Sequence, residues 1–198
     1  MTVSSSEAAA PRCLEIGPGP TPLPGFESLN IVDDGFSDTV SNASGKLPYP
    51  DGSFDLIYAS HVLEHIPWYQ TVDALSDWCR ILKPSGRVEI WVPDGLKIAE
   101  AFVQFERTGV DNSHRDGWYR LNPERDPCVW MAGRTFSYGD GNGTPGHPNW
   151  HLALFSPRYL AKALGQAGFV NIEPLPLSRV RGHNHGWINL GMTGQKPG

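Results

Sequence analysis

The tightest constraint on the fold is a short apolar run, Arg12 to Ile16, that stops on Gly17-Pro18-Gly19-Pro20. Alternating glycine and proline cannot continue a helix or a strand, so the chain must turn there, after a run too short for a helix. A buried strand running into a loop is the expectation. Ser28 to Val32 has the pattern of a second strand, ending at Asp33-Asp34, and Asp38 to Asn42 that of a short third. Phe54 to Ser60, mostly apolar with Asp55 near its entrance, has the composition of a strand buried on both faces of a parallel sheet.

Pro67 suits a first helical turn, and Val72, Leu75, Trp78, Cys79 and Leu82 follow at three- and four-residue steps, predicting an amphipathic helix. Lys83-Pro84-Ser85-Gly86 is its stop, and Val88, Ile90 and Val92 alternate through a strand ending at Pro93-Asp94. Leu96 to Glu106 is expected to be helical. Ser156-Pro157 is an N-cap followed by proline at N1, Leu160, Ala163, Leu164 and Ala167 supply a buried stripe, and Gly168 ends the helix. Phe169 to Leu175 and Trp187 to Thr193 are the last two expected strands. Strands alternating with helices predict an α/β fold with an open, mostly parallel sheet. Such sheets bind ligands beyond the carboxyl ends of their strands.

One domain, residues 12–198, is expected behind a flexible N-terminal tail, 1–11. Between about 108 and 150 the periodicity breaks down among glycines, prolines and aromatics, predicting an irregular insertion over the substrate. Its aromatic residues Trp118, Tyr119, Trp130, Phe136, Tyr138 and Trp150 fit two readings equally, a substrate lid or a small satellite core under a long loop. The formal charge of −5, without any basic block, argues against a nucleic-acid partner. No stretch approaches the roughly 20 apolar residues of a membrane span. Three cysteines without CxxC spacing are expected to be reduced thiols of a cytoplasmic protein.

Glycines after a first strand let the backbone approach a ligand closely. A carboxylate at the end of the second strand, Asp33 with Asp34 as the alternative, can accept hydrogen bonds from two ribose hydroxyls. Asp33 follows Gly19 sooner than the spacing of about 20 residues in dinucleotide folds. Thr21-Pro22-Leu23-Pro24-Gly25 cannot form the helix whose N-terminus would hold a pyrophosphate. That pattern disfavours NAD and fits a cofactor without phosphates.

The segments CLEIGPGP, LPYPDGSFDLIYASHVLEHI and LKPSGRVEIWVPD, with MAGRTF…HLALFSPRYLAKALGQAGF further on, resemble the class I methyltransferases dependent on S-adenosylmethionine. The likeness is nearest to their short, methyltransferase type 11-like group, covers roughly residues 12–195, and implies an α/β, Rossmann-like, mostly parallel sheet with helices on both faces, the first helix shortened to a loop. It implies that Glu15, Gly17 and Gly19 line the methionine part of the cofactor and Asp33 the ribose. Asn42 and Ala43 then stand where an acid usually reads the adenine, and Ser60 and His61 beside the sulfonium. Thr21 and Asn42 depart from the pattern, replacing the third glycine and that acid.

Methyl transfer to a hydroxyl needs a base as well as in-line alignment. His61, His65, His151, His183 and His185 all fall in loops expected near the cofactor, and the resemblance runs through His151, the preferred base, with His61 and His65 beside it. Trp118, Tyr119, Phe136, Tyr138, Trp150 and His183 are the expected substrate contacts. The acceptor class implied is a hydroxyl or amine of a small molecule or sugar, and a homodimer is admitted. A non-catalytic S-adenosylmethionine-binding protein is the alternative. A zinc hydrolase is another, since His61-Val62-Leu63-Glu64-His65 spells H-x-x-E-H. That motif needs both histidines on one helix, whereas His61 directly follows a strand and helix begins near Pro67, so no metal is expected, including one held by His61, Glu64 and His65.

Overall fold

The computed structural model describes residues 10–198 apart from Asp34 and His183. The alternative ribose ligand Asp34, the substrate contact His183 and residues 1–9 of the expected tail therefore lie outside the described residues. Among the described residues seven strands form: β1 (Cys13–Ile16), β2 (Phe26–Asn30), β3 (Thr39–Val40), β4 (Phe54–Ser60), β5 (Leu82–Pro93), β6 (Val170–Leu175) and β7 (Asn189–Gln195). They make one sheet in the order β3-β2-β1-β4-β5-β7-β6. Neighbours are parallel except β7, which is antiparallel to both β5 and β6. This is the expected mostly parallel, Rossmann-like sheet.

Strand alternation decides what lies on each side. Leu14, Ile16, Ile57, Ala59, Ile90 and Val92 enter one core with residues of two helices, α1 (Thr71–Ile81) and, as the last of four, α4 (Pro157–Gln166). Leu75 and Trp78 of α1 and Leu160 and Leu164 of α4 are fully buried there. Each such side chain contributes roughly 1.5–3 kcal/mol, so these two helices anchor the fold. The opposite row meets the chain between β6 and β7. The Tyr58 hydroxyl accepts from the N–H groups of Arg181 (3.0 Å) and Gly182 (3.2 Å), and Glu89 pairs with Arg179 and Arg181.

The caps act where the sequence puts them. Ser156 accepts from the Tyr159 N–H ahead of Pro157. Asp94 accepts from the Leu96 and Lys97 N–H groups to start α2 (Gly95–Thr108), which ends on left-handed Gly109. Two departures stand out. β2 runs two residues earlier than the apolar pattern suggests. The stretch expected to be irregular contains a regular helix, α3 (Pro127–Phe136), capped by Asp126. α2 and α3 share a satellite core of Ile98, Ala101, Trp130 and Ile188, against which Trp118 and Trp187 pack.

Candidate active site

The sheet order reverses between β1 and β4, where the loops leaving the two strands separate and open a crevice. A cavity of about 580 Å³ lies there, within the range of about 300–1,000 Å³ that holds cofactors and small ligands. One wall comes from strand ends: Gly17 and Gly19 after β1, Asn30 at the end of β2 with Ile31 and Val32 beyond it, and Ser41 to Ser44 after β3. The other comes from His61, Val62 and His65 after β4, with His147, Trp150 and Leu152 ahead of α4.

The β1 loop takes its path from its glycines. Gly17 has φ +70°, and a Cβ there would stand 2.3 Å from Cγ2 of Val62, so the two loops close on each other only without a side chain. Gly19 has φ +61° and nothing within 4 Å of where a Cβ would be, leaving its surface open. Glu15 is buried and aimed at the loop itself, accepting from the Leu23 N–H at 2.6 Å. Burial pushes its carboxyl up, and the Leu23 hydrogen bond partly offsets this.

The remaining expected cofactor residues fall as follows. Asn42 and Ala43 line the cavity, with the Asn42 amide oxygen accepting from the N–H and hydroxyl of Ser44. The Ala43 carbonyl accepts from the buried Trp78 indole at 3.0 Å, tying the cavity wall to α1. Ser60 closes the β4 ladder opposite Trp91 and is not among the lining residues. Asp33 lies three residues past the end of β2, is exposed and accepts from the Gly35 N–H; Asn30 occupies the strand end that the sequence assigned to it.

The histidines form two pairs. His61, at φ +57°, spends both ring nitrogens on oxygens, Nδ1 on Glu64 Oε1 (3.0 Å) and Nε2 on Asn189 Oδ1 (3.1 Å), and its ring lies 4.0 Å from that of His185. His65 and His151 have ring centroids 4.9 Å apart. Each directs Nδ1 at a carbonyl, His65 at Trp150 and His151 at Arg134, both at 3.2 Å. A carbonyl only accepts, so Nδ1 carries a proton in both rings, and in the neutral form of each ring Nε2 keeps its lone pair. Burial holds His151 down to about 4, the facing Glu64 opposing this. Burial would push the Glu64 carboxyl up, but the His61 hydrogen bond and the nearness of His61, His65 and His151 bring it to about 2.

The expected substrate aromatics divide. Trp150 lines the cavity, its indole donating to the Thr144 carbonyl at 2.9 Å. Trp118 instead lies against Gly133 in the satellite core, stacked near Tyr138 and under the Arg134 guanidinium. Arg120 covers Tyr138, Arg125 covers Tyr119, and Phe136 is exposed. Sequence reasoning missed Asn30, Val62 and His147 as wall residues. His147 stood in a glycine- and proline-rich stretch without periodicity, and only its residue type could have marked it.

Comparison with known proteins agrees with this geometry. A family model described as a methyltransferase domain matches residues 4–173. No curated protein matches the sequence. Among solved structures, a Thermotoga maritima S-adenosylmethionine-dependent methyltransferase, named a possible histamine N-methyltransferase, superposes with a TM-score of 0.53 at 19% identity over 94% of this chain and 82% of that one. The trans-methyltransferase CalH, in complex with S-adenosylhomocysteine, gives 0.52 at 16% identity over 94% of this chain and 51% of its own, so the chain spans about half of it. The Burkholderia thailandensis 1,6-didemethyltoxoflavin-N1-methyltransferase, with bound 1,6-didemethyltoxoflavin and S-adenosylhomocysteine, gives 0.50 at 14% over 95% and 72%. The fold, the glycine-edged crevice at its switch point and the family match agree: this chain belongs to the methyltransferase domain family, within the class I enzymes that use S-adenosylmethionine.

Proposed function

We propose that this methyltransferase methylates a hydroxyl, or failing that an amine, of a small molecule or sugar-type acceptor. The observation that carries the proposal is that Gly17 and Gly19 share one cavity with His65 and Trp150. Bound S-adenosylmethionine supplies a methyl group on a positive sulfur. The glycine loop holds its methionine end, Asn30 takes hydrogen bonds near the ribose in place of Asp33, and Asn42 and Ala43 flank the base. Trp150 and Leu152 exclude water from the reacting atoms. The acceptor's proton leaves on the side of His65 and His151, while His61, with both nitrogens engaged, orients Glu64. A net charge of −5 fits an acceptor other than nucleic acid. Free thiols at Cys13, Cys79 and Cys128 support a cytoplasmic setting. No helix among the described residues is long and apolar enough to cross a membrane.

The test is calorimetric titration with S-adenosylmethionine and S-adenosylhomocysteine, then a screen of hydroxyl and amine acceptors with radiolabelled methyl donor. Binding in the micromolar range is expected, lost when Gly19→Val fills the open side of the loop. Folded wild-type protein that binds neither compound would overturn the proposal. Label appearing only on amines would move the reading from O- to N-methylation.

A further inference from the structure

We propose that Glu64, His65 and His151 bind a divalent transition-metal ion at the wall of the cofactor cavity. One ligand atom from each of the three lies within 4.8 Å of the others. Two ligands about 2.1 Å from a tetrahedral ion sit roughly 3.4 Å apart, so a small inward rotation of the rings completes the set. Glu64 is 1% exposed, and its Oε2 has no hydrogen-bond partner among the described residues. A buried carboxylate oxygen left in that state is costly and calls for a cation or a proton. Neither adjacent ring hydrogen-bonds to it, and each gives its Nδ1 to a backbone carbonyl. What remains on each ring for a ligand is the lone pair of Nε2.

The outer shell supports the same reading. A histidine that ligates through one nitrogen is usually fixed by a carbonyl or carboxylate at the other, as both rings are here. His61 holds Glu64 through Oε1 and is itself anchored by Asn189, leaving Oε2 as the ligating oxygen. The site differs from a helical H-x-x-E-H arrangement. Leu63–His65 is a short 3-10 turn, and the second histidine ligand is His151 rather than His61. Two imidazoles and one carboxylate suit zinc, iron(II) or cobalt(II), with positions left open, better than magnesium, which prefers oxygen.

The role of the ion, though not its binding, rests on the methyltransferase reading. His65 faces the cavity that holds the glycine loop, so an acceptor hydroxyl coordinated there lies near the methyl donor. Coordination acidifies the hydroxyl, which gives up its proton to bulk solvent as it binds, before water is excluded from the reacting atoms. Its oxygen then forms the bond to the methyl carbon as the carbon–sulfur bond breaks, the electron pair staying on sulfur as a neutral thioether.

The experiment titrates the chelator-treated protein with Co²⁺, following its visible absorption, then adds Zn²⁺ as competitor. S-adenosylhomocysteine affinity is measured separately without metal. Equimolar Co²⁺ displaced by Zn²⁺ is expected, weakened at least about tenfold in Glu64→Gln, His65→Ala and His151→Ala. Cys128→Ser, which removes an exposed thiol, should bind Co²⁺ as wild type does. Glu64→Gln decides the matter if either alanine variant fails to fold. No Co²⁺ spectrum, or one that persists in all three variants, overturns the site. Metal binding without S-adenosylhomocysteine binding would leave the site standing and remove its role in methyl transfer.

Discussion

The Leu152 N–H donates to the Glu64 carbonyl at 2.7 Å, with Ala153 adding a second bond at 3.0 Å. Because His151 precedes the donor and His65 follows the acceptor, this backbone joint sets the two imidazoles side by side. Leu152→Pro removes the donor while leaving the β1 loop untouched. Methyl transfer should then fall on the order of 100-fold, as expected for a reacting group displaced by about 1 Å, while S-adenosylhomocysteine affinity changes little. Leu152→Ala keeps the N–H and should lose much less. Comparable losses in the two variants, measured by kcat alongside calorimetry, would show that the side chain rather than the joint matters.

The contact between Gly17 and Val62 makes a reciprocal prediction. Gly17→Ala places a methyl group 2.3 Å from Cγ2 of Val62 in a left-handed backbone. The backbone alone costs about 1–2 kcal/mol, and overpacking adds about 1–3 kcal/mol. Adding Val62→Ala should recover the packing part and leave the backbone part. A double-mutant cycle by urea denaturation, with S-adenosylhomocysteine binding followed in parallel, checks this. Additive losses would mean that the β1 and β4 loops do not press on each other.

Most of the sheet was legible because its punctuation is local. Prolines and glycines end β1 and start α4, and two-residue alternation marks β5. β2 was placed too late because Ile31 and Val32 have strand-forming side chains, yet the chain leaves the sheet at Asn30 to border the cavity. α3 was missed although Asp126-Pro127 repeats the cap pattern of Ser156-Pro157. Gly133 interrupts it, and the reason lies far off in sequence: the Trp118 ring would stand 2.3 Å from a Cβ at that position. The same holds for the site. The residues of H-x-x-E-H are plain in the sequence, but the approach of His151 depends on the Glu64–Leu152 joint, which no local pattern announces.

The Asp116–Arg134 pair governs the satellite core. Their side chains are 2% and 8% exposed, with nitrogen and oxygen 2.8 Å apart, and the Trp130 indole donates to the same carboxylate oxygen at 3.0 Å. Burial pulls the Arg134 guanidinium down, opposed by Asp116. Removing Asp116 leaves the buried guanidinium without its counter-charge, so Asp116→Ala should cost about 3–5 kcal/mol. Arg134→Met in the same chain should recover a large part. The Arg134 carbonyl also holds His151, so Asp116→Ala is expected to lower methyl transfer as well. Denaturation and turnover of the two singles and the double test the coupling, and strictly additive losses would refute it.

Glu15 predicts a pH dependence of unusual sign. Burial raises its carboxyl in the folded protein, so over the interval between its unfolded and folded values the native state binds more protons than the unfolded one. Stability then falls as pH rises through that interval, reversing the usual behaviour of a paired carboxylate. The contribution is most favourable below the unfolded value of about 4.3 and is lost above the folded one. Glu15→Gln keeps an oxygen for the Leu23 N–H and removes the charge. The variant's advantage over wild type in melting temperature should therefore be small near pH 4 and grow toward pH 7. A difference that stays flat across that range, or shrinks, would mean that the carboxylate is not penalised by burial and that its ionised form holds the glycine loop in place.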